Sequence, residues 1–267
     1  MLDLWTFAVV NGKGKEVHSS VYWLGIAAIG LVVGFLAGLF GKGGSAIATP
    51  LLHAVGVPAI VAVASPLPAT IPSTAVAAAA YWRSHFLDKR VLAWSVAFGV
   101  PTTIVGAVAT RWIPGTALVK ATDVLVACLG LRFLLFPTDA REVVTEAKWY
   151  RLRLAAVATV AGLASGLLAN SGGFLLAPLY LAVLRLPIKG AFATSLTVAT
   201  LLAVPGTIVH AALGHIDWAV VAVFGATSVP LSYLGARVGL RSNARHLERI
   251  YGTALSILGL VFLLAGG

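Results

Sequence analysis

Gly41-Lys42-Gly43-Gly44-Ser45 interrupts an apolar run with three glycines and the only Lys, Arg, Asp or Glu between Glu16 and Arg83. Upstream, residues 22–40 read as one helix. Downstream, residues 46–55 are half as long and stop at Gly56-Val57-Pro58. A second interruption, Asn170-Ser171-Gly172-Gly173, also follows an apolar helix. Glycine-rich stops followed by half-length helices predict broken or re-entrant hairpins rather than simple crossings.

The rest of the chain supplies the solvent for these breaks. Its 267 residues are 59% hydrophobic and 10% charged, with a mean hydropathy of +0.96. A soluble domain carries about 25% charged residues, so this is an integral membrane protein. Runs without charge at 19–41, 43–82, 91–110, 154–184, 190–216 and 250–267 approach or exceed the roughly 20 residues a crossing helix needs. No strand-like alternation points to a barrel. The net charge of +10 does not imply nucleic acid, because the basic residues fall in short loops, where they act as topology signals. The single cysteine, Cys128, excludes disulfides and cysteine-based metal clusters. Residues 4–10 form a short apolar patch without a cleavage site, read as an interfacial or pre-span segment.

Two further segments of the first half are helical, residues 91–112 and 118–136, joined at Pro114-Gly115, and residues 59–81 form a helix interrupted by prolines. Residues 137–153 are the polar linker. The second half then repeats the first. Gly34, Gly38, Gly44 and Pro50 fall on Gly162, Gly166, Gly172 and Pro178 at an offset of 128. Asp88, Pro101, Gly106, Gly130 and Phe133 fall on Asp217, Pro230, Gly235, Gly259 and Phe262 at an offset of 129. One inserted residue near Leu186-Pro187 accounts for the change. The organisation is a segment at 1–20, a first repeat at 21–136, a cytoplasmic linker at 137–153 and a second repeat at 154–267.

Basic residues orient the repeats. Arg83, Lys89 and Arg90 mark one loop whose counterpart at 211–217 has no Lys or Arg. Arg185 and Lys189 flank a turn whose counterpart at 56–58 has none, and 237–249 outweighs its partner too. A bias that reverses between halves fits an inverted repeat. The loops at 82–90, 137–153 and 237–249 are then cytoplasmic, with both termini outside. The expected fold is an all-α polytopic bundle of two inverted repeats, each a broken or re-entrant hairpin plus three spanning helices, about 8–10 membrane segments in all.

Inverted repeats with broken helices place substrate where the breaks meet. A helix start leaves amide N–H groups unpaired and carries partial positive charge, so two starts near Ser45 and Phe174 make an anion cradle. Lys42, Gly43, Gly44, Ser45, Asn170, Ser171, Gly172 and Gly173 are its candidate residues. A second set, Ser65 and Thr70 facing Ser195 and Thr200, supplies hydroxyls beside prolines that free the carbonyls of Ala62, Ala64 and Pro68. Such hydroxyls suit an oxyanion, or simply bond their own backbone. The ladders Gly30/Gly34/Gly38 and Ala158/Gly162/Gly166 are packing surfaces, and Asp88 and Asp217 read as helix caps. His53, His85, His210 and His215 are the visible support for proton coupling; their spacing matches no metal motif. No nucleophile–base arrangement, complete phosphate loop or redox motif suggests an enzyme, and no cofactor is implied.

The duplicated pattern Gly34-Phe35-Leu36-Ala37-Gly38 with Gly43-Gly44 and Pro50, and Gly162-Leu163-Ala164-Ser165-Gly166 with Gly172-Gly173 and Pro178, resembles the TauE/SafE family of sulfite exporters, also called toluene sulfonate uptake permeases. Ala193-Thr194-Ser195 and Gly214-His215-Ile216-Asp217-Trp218 are similar to second-half signatures of that family. The resemblance covers about residues 22–265. It implies transport of small sulfur-containing anions such as sulfite, thiosulfate or organosulfonates, driven by an ion gradient. The alternatives are a cation or metal permease, for which intramembrane carboxylates are too few, and a membrane scaffold subunit without transport of its own.

Overall fold

The computed structural model describes residues 8–10, 16–18, 20–40, 45–122, 124, 128, 148–169, 173–243, 250, 253 and 257. Apart from one short ladder, the described elements are helical. The chain runs α1 (Ser20–Leu39), α2 (Ser45–Ala54), α3 (Ala59–Ala64), α4 (Pro66–Trp82) and α5 (Lys89–Ala109). A 3-10 turn, Thr110–Trp112, leads to α6, helical at 115–122. Then follow α7 (Lys148–Leu167), α8 (Gly173–Ala182), α9 (Ile188–Ala212) and α10 (Trp218–Arg241). Five helices among the described residues are long and apolar enough to cross a membrane: 20–39, 59–82, 89–112, 188–212 and 218–241. The expected span at 118–136 lies mostly outside the described residues.

Two local findings refine the sequence reading. Ala8–Val10 and Glu16–His18 pair as an antiparallel ladder, Val9 opposite Val17, within the segment read as interfacial or pre-span; consecutive valines at 9 and 10 favour strand. The proline-rich stretch is also less broken than expected. Pro66 lacks an N–H, so α3 and α4 are separate hydrogen-bonded units, yet Ser65 between them keeps helical angles (φ −66°, ψ −29°). The two therefore act as one 24-residue span.

Glycines set how closely the helices approach. A Cβ on Gly34 or Gly38 would collide with the backbone of Ser228 or Ser232 on α10. A Cβ on Gly162 or Gly166 would collide with that of Gly99 or Thr103 on α5. Gly235 lies against the Phe35 carbonyl, as Gly106 lies against that of Leu163. These are equivalent positions in the two halves, so α1 packs on α10 as α7 packs on α5.

Contact registers also give direction. Residue numbers rise together along α1 and α10 (Gly30 with Thr227, Gly38 with Ser232) and along α5 and α7. They rise together along α4 and α10 too, where Gly225 touches Ala69 and Ser232 Oγ donates to the Ser73 carbonyl at 2.9 Å. Along α5 and α9, Asp88 meets Thr194 and Thr103 meets Gly206. Along α4 and α9 they run oppositely: Leu67 touches Gly206 while Thr74 meets Thr200. Hence α1, α4 and α10 point one way, and α5, α7 and α9 the other. Each is antiparallel to its equivalent in the other half.

The same directions gather the basic loops. Lys189 Nζ donates to the Leu240 carbonyl at 2.9 Å and lies 5.8 Å from the Phe86 ring. Arg90 lies over the Tyr150 ring at 5.5 Å. The basic residues of 83–90, 151–153, 185–189 and 237–241 therefore share one end of the bundle, with Arg111 at the other. The charged stretch expected to form a linker is partly helical, since α7 begins at Lys148.

Candidate functional site

The two half-length helices begin where the breaks end, α2 at Ser45 and α8 at Gly173. Ten residues rise about 15 Å, half of the hydrocarbon thickness, so neither crosses alone. Lys42, Gly43, Gly44, Asn170, Ser171 and Gly172 lie outside the described residues, as does the side chain of Ser45.

Each hairpin is closed by a left-handed residue at its far end, Gly56 (φ +94°) and Arg185 (φ +55°). Val57 N–H reaches back to the Leu52 carbonyl (3.1 Å) and Leu186 N–H to that of Tyr180 (3.0 Å). The second bond closes a loop one residue longer, which places the extra residue of the second half in this turn.

The ends that lead into the breaks lie apart. Leu39, at the end of α1, and the Tyr81 hydroxyl both touch the Cβ position of Gly239, toward the basic end. Gly166, near the end of α7, packs on Thr103 and Ala107 and accepts from His210 Nε2 at 3.1 Å, toward the opposite end. The breaks that follow these ends, residues 41–44 and 170–172, on which the expectation of a shared midplane site falls, lie outside the described residues.

The hydroxyl set divides in the same way. Ser65 and Ser195 are fully buried, but because α4 and α9 are antiparallel they do not face each other. Ser65 Oγ accepts from Asp217 N–H at 3.0 Å, ahead of α10. At the other end, Thr194 Oγ1 accepts from Asp88 N–H at 3.1 Å, ahead of α5. Each aspartate then caps its own helix, Asp88 on the amides of Arg90 and Val91, and Asp217 on those of Ala219 and Val220. Their reading as caps holds.

What the crossing does bring together is Thr74 and Thr200, with hydroxyls 2.8 Å apart. Thr74 also donates to the Thr70 carbonyl (2.7 Å) and Thr200 to that of Leu196 (2.9 Å). Each hydroxyl has one proton, so joining the two across the halves forfeits one of these backbone bonds. Thr70 and Ser195 bond the carbonyls of Pro66 and Phe192. The bonds of Thr70, Thr74 and Thr200 thus go to the carbonyls of Pro66, Thr70 and Leu196 rather than to the freed carbonyls of Ala62, Ala64 and Pro68. Thr74 was visible in the sequence as part of the hydroxyl-rich stretch; its pairing with Thr200 depends on the antiparallel crossing.

Two groups had no sequence signal as sites. Ser95 on α5 and Tyr180 on α8 share a buried 2.6 Å hydroxyl–hydroxyl bond. Tyr81 is fully buried with its hydroxyl unpartnered among the described residues. Of the histidines, His53 Nδ1 donates to the Val57 carbonyl (3.1 Å) and His85 sits in an exposed turn with φ +57°. His210 and His215 come together, Nδ1 to Nδ1 at 3.1 Å. Partial burial lowers the pKa of the His215 imidazole, in the loop beyond α9, below the ordinary histidine value. No group of three or more metal-ligating side chains occurs among the described residues.

The family model described as "Sulfite exporter TauE/SafE" matches residues 26–262. A probable membrane transporter protein of Xylella fastidiosa (strain 9a5c) is 29% identical over 230 residues, 84% of this chain and 88% of the relative. YjnA of Bacillus subtilis (strain 168), also named a probable membrane transporter protein, is 24% identical over 249 residues, covering 88% and 97% of the two chains. YunE of the same strain, named likewise, is 23% identical over 267 residues, covering 90% and 94%. No solved structure gives a significant match. This chain belongs to the TauE/SafE sulfite exporter family and is a multi-pass membrane transporter of the cell membrane rather than an enzyme.

Proposed function

We propose that the protein is a secondary carrier of a small sulfur-containing anion, sulfite, thiosulfate or an organosulfonate, working by alternating access between two inverted repeats. The observation that carries this reading is that equivalent helices make equivalent contacts while running in opposite directions. Such a bundle has two conformations of related energy, one open to each side. The half-length helices α2 and α8 each offer an N-terminus, where unpaired amides and the helix dipole favour an anion. Lys42 adds a full charge to the first, and Asn170, Ser171, Gly172 and Gly173 supply neutral donors to the second.

Because the ends of α1 and α7 lie toward opposite ends of the bundle, the anion meets one terminus from each side. The Thr70, Thr74 and Thr200 region lies between. Exchange of the Thr74–Thr200 bond for backbone bonds offers a low-cost rearrangement at this crossing. The basic end faces the cytoplasm by the positive-inside rule.

Uptake of radiolabelled sulfite and 2-aminoethanesulfonate into proteoliposomes tests the reading. Saturable flux is expected with the wild-type protein. Lys42→Ala combined with Gly172→Leu is expected to abolish it, and unaltered flux in that variant would sink the site.

A further inference from the structure

We infer that His210 and His215 form a proton-binding relay at the end of α9, which makes anion movement proton-coupled. The inference rests on the carrier reading above. His210 is fully buried and holds two partners. The Gly166 carbonyl can only accept, so His210 Nε2 carries a hydrogen. In the neutral ring its Nδ1 is then an acceptor, and His215 Nδ1–H is the donor across the 3.1 Å contact. The tautomers follow from the geometry, and they leave His215 Nε2 with a free lone pair.

This arrangement conducts one proton inward. A proton binds His215 Nε2, in the half-buried loop. The Nδ1–H bond of His215 breaks as an Nδ1–H bond forms on His210. His215 is left neutral with its hydrogen on Nε2, and His210 becomes the imidazolium, donating from both nitrogens. One proton enters and the charge rises by one.

Burial opposes the cation on His210, and one local feature offsets part of that cost. Gly166 lies in the last turn of α7, whose carbonyl end favours a positive charge. Among the described residues, no carboxylate bonds either imidazole. Asp217, two residues beyond His215, accepts from two amides through Oδ1. Among the described residues, the ionisable groups of α4, α5, α7 and the body of α10 lie at their basic ends, and Arg111, beyond α5 at the relay's end, lies over Trp112. On α8, Tyr180 bonds Ser95. A counter-charge is supplied by the transported anion, whose second helix terminus follows Gly166 within a few residues of chain. Proton and anion therefore favour each other's binding, the requirement for symport. The relay opens at the end opposite the basic loops, so acid outside drives uptake.

Two measurements decide it. Spectra of imidazole-15N histidine in nanodisc-embedded protein, without any anion, should show coupling across the Nδ1–H···Nδ1 bond and titration of both rings together; two independent titrations would overturn the relay. In proteoliposomes with the pH one unit lower outside, coupling to one proton raises sulfite accumulation about ten-fold. His215→Gln and His210→Gln should reduce that ratio to about one, judged on variants with wild-type elution and melting. Accumulation that still follows the gradient in both variants would overturn the proposal. Wild-type protein that moves neither sulfite nor 2-aminoethanesulfonate would instead count against the substrate, while the anion-free spectra still decide the relay.

Discussion

At the seam between α1 and α10, Gly34 meets the backbone of Ser228; at the seam between α5 and α7, the equivalent Gly162 meets that of Gly99. The same approach is built twice. Closer to the centre the halves part company. Fully buried Tyr81, with no partner among the described residues, stands where the second half has His210 with two. Leu52 and Phe224, in one apolar cluster, stand where the second half bonds Tyr180 to Ser95. Backbone-to-backbone contact leaves no room for variation, so the seams stay alike. The polar positions are free to differ, and their difference gives each side of a carrier its own chemistry.

The seams offer the largest effect. Gly38→Leu and Gly166→Leu each force a side chain into a neighbouring helix backbone and should cost at least about 3 kcal/mol. Both should lose the monodisperse peak in detergent size-exclusion chromatography. If one half tolerates the change, the seams are not equivalent. Next comes the polar divergence. Tyr180→Phe strips Ser95 of its partner and should cost about 1–3 kcal/mol, whereas Tyr81→Phe removes an unpaired hydroxyl and should be neutral or stabilising. Thermal melts of the two variants should move in different directions or by clearly different amounts; equal losses would remove the asymmetry.

The aspartate caps should behave as a matched pair. Asp88→Ala and Asp217→Ala are each expected to lower stability by about 0.5–2 kcal/mol, measured by denaturant unfolding in mixed micelles. A cost confined to one of them would break the equivalence of α5 and α10. The smallest effect belongs to the crossing. A double-mutant cycle of Thr74→Val and Thr200→Val should give a coupling of about 1 kcal/mol or less, since each hydroxyl retains a backbone alternative. A coupling of several kcal/mol would make this contact a lock rather than a changeable bond.

The helices were legible because apolar runs of membrane-span length have few other solutions in lipid. The duplication was legible because glycines and prolines recur at close packing positions and turns. The capping role of Asp88 and Asp217 could be read locally, since a cap bonds amides two and three residues on. Ser65 facing Ser195 was misread for the opposite reason. Matching positions in two halves need not be neighbours, and when the helices cross antiparallel, serines near equivalent helix starts are carried to opposite ends.

The sequence by itself determined a membrane protein of two related halves, each with a half-length helix after a glycine-rich break, since lipid permits few alternatives for such a pattern. Only the tertiary structure decided which residues meet. It set Thr74 against Thr200, Ser65 against Asp217 and His210 against His215, and it put the ends of α1 and α7 on either side of the α4–α9 crossing. Those outcomes depend on helix direction and crossing register. Neither is encoded locally; both are fixed by how closely glycine-bearing backbones can approach once the halves pack together.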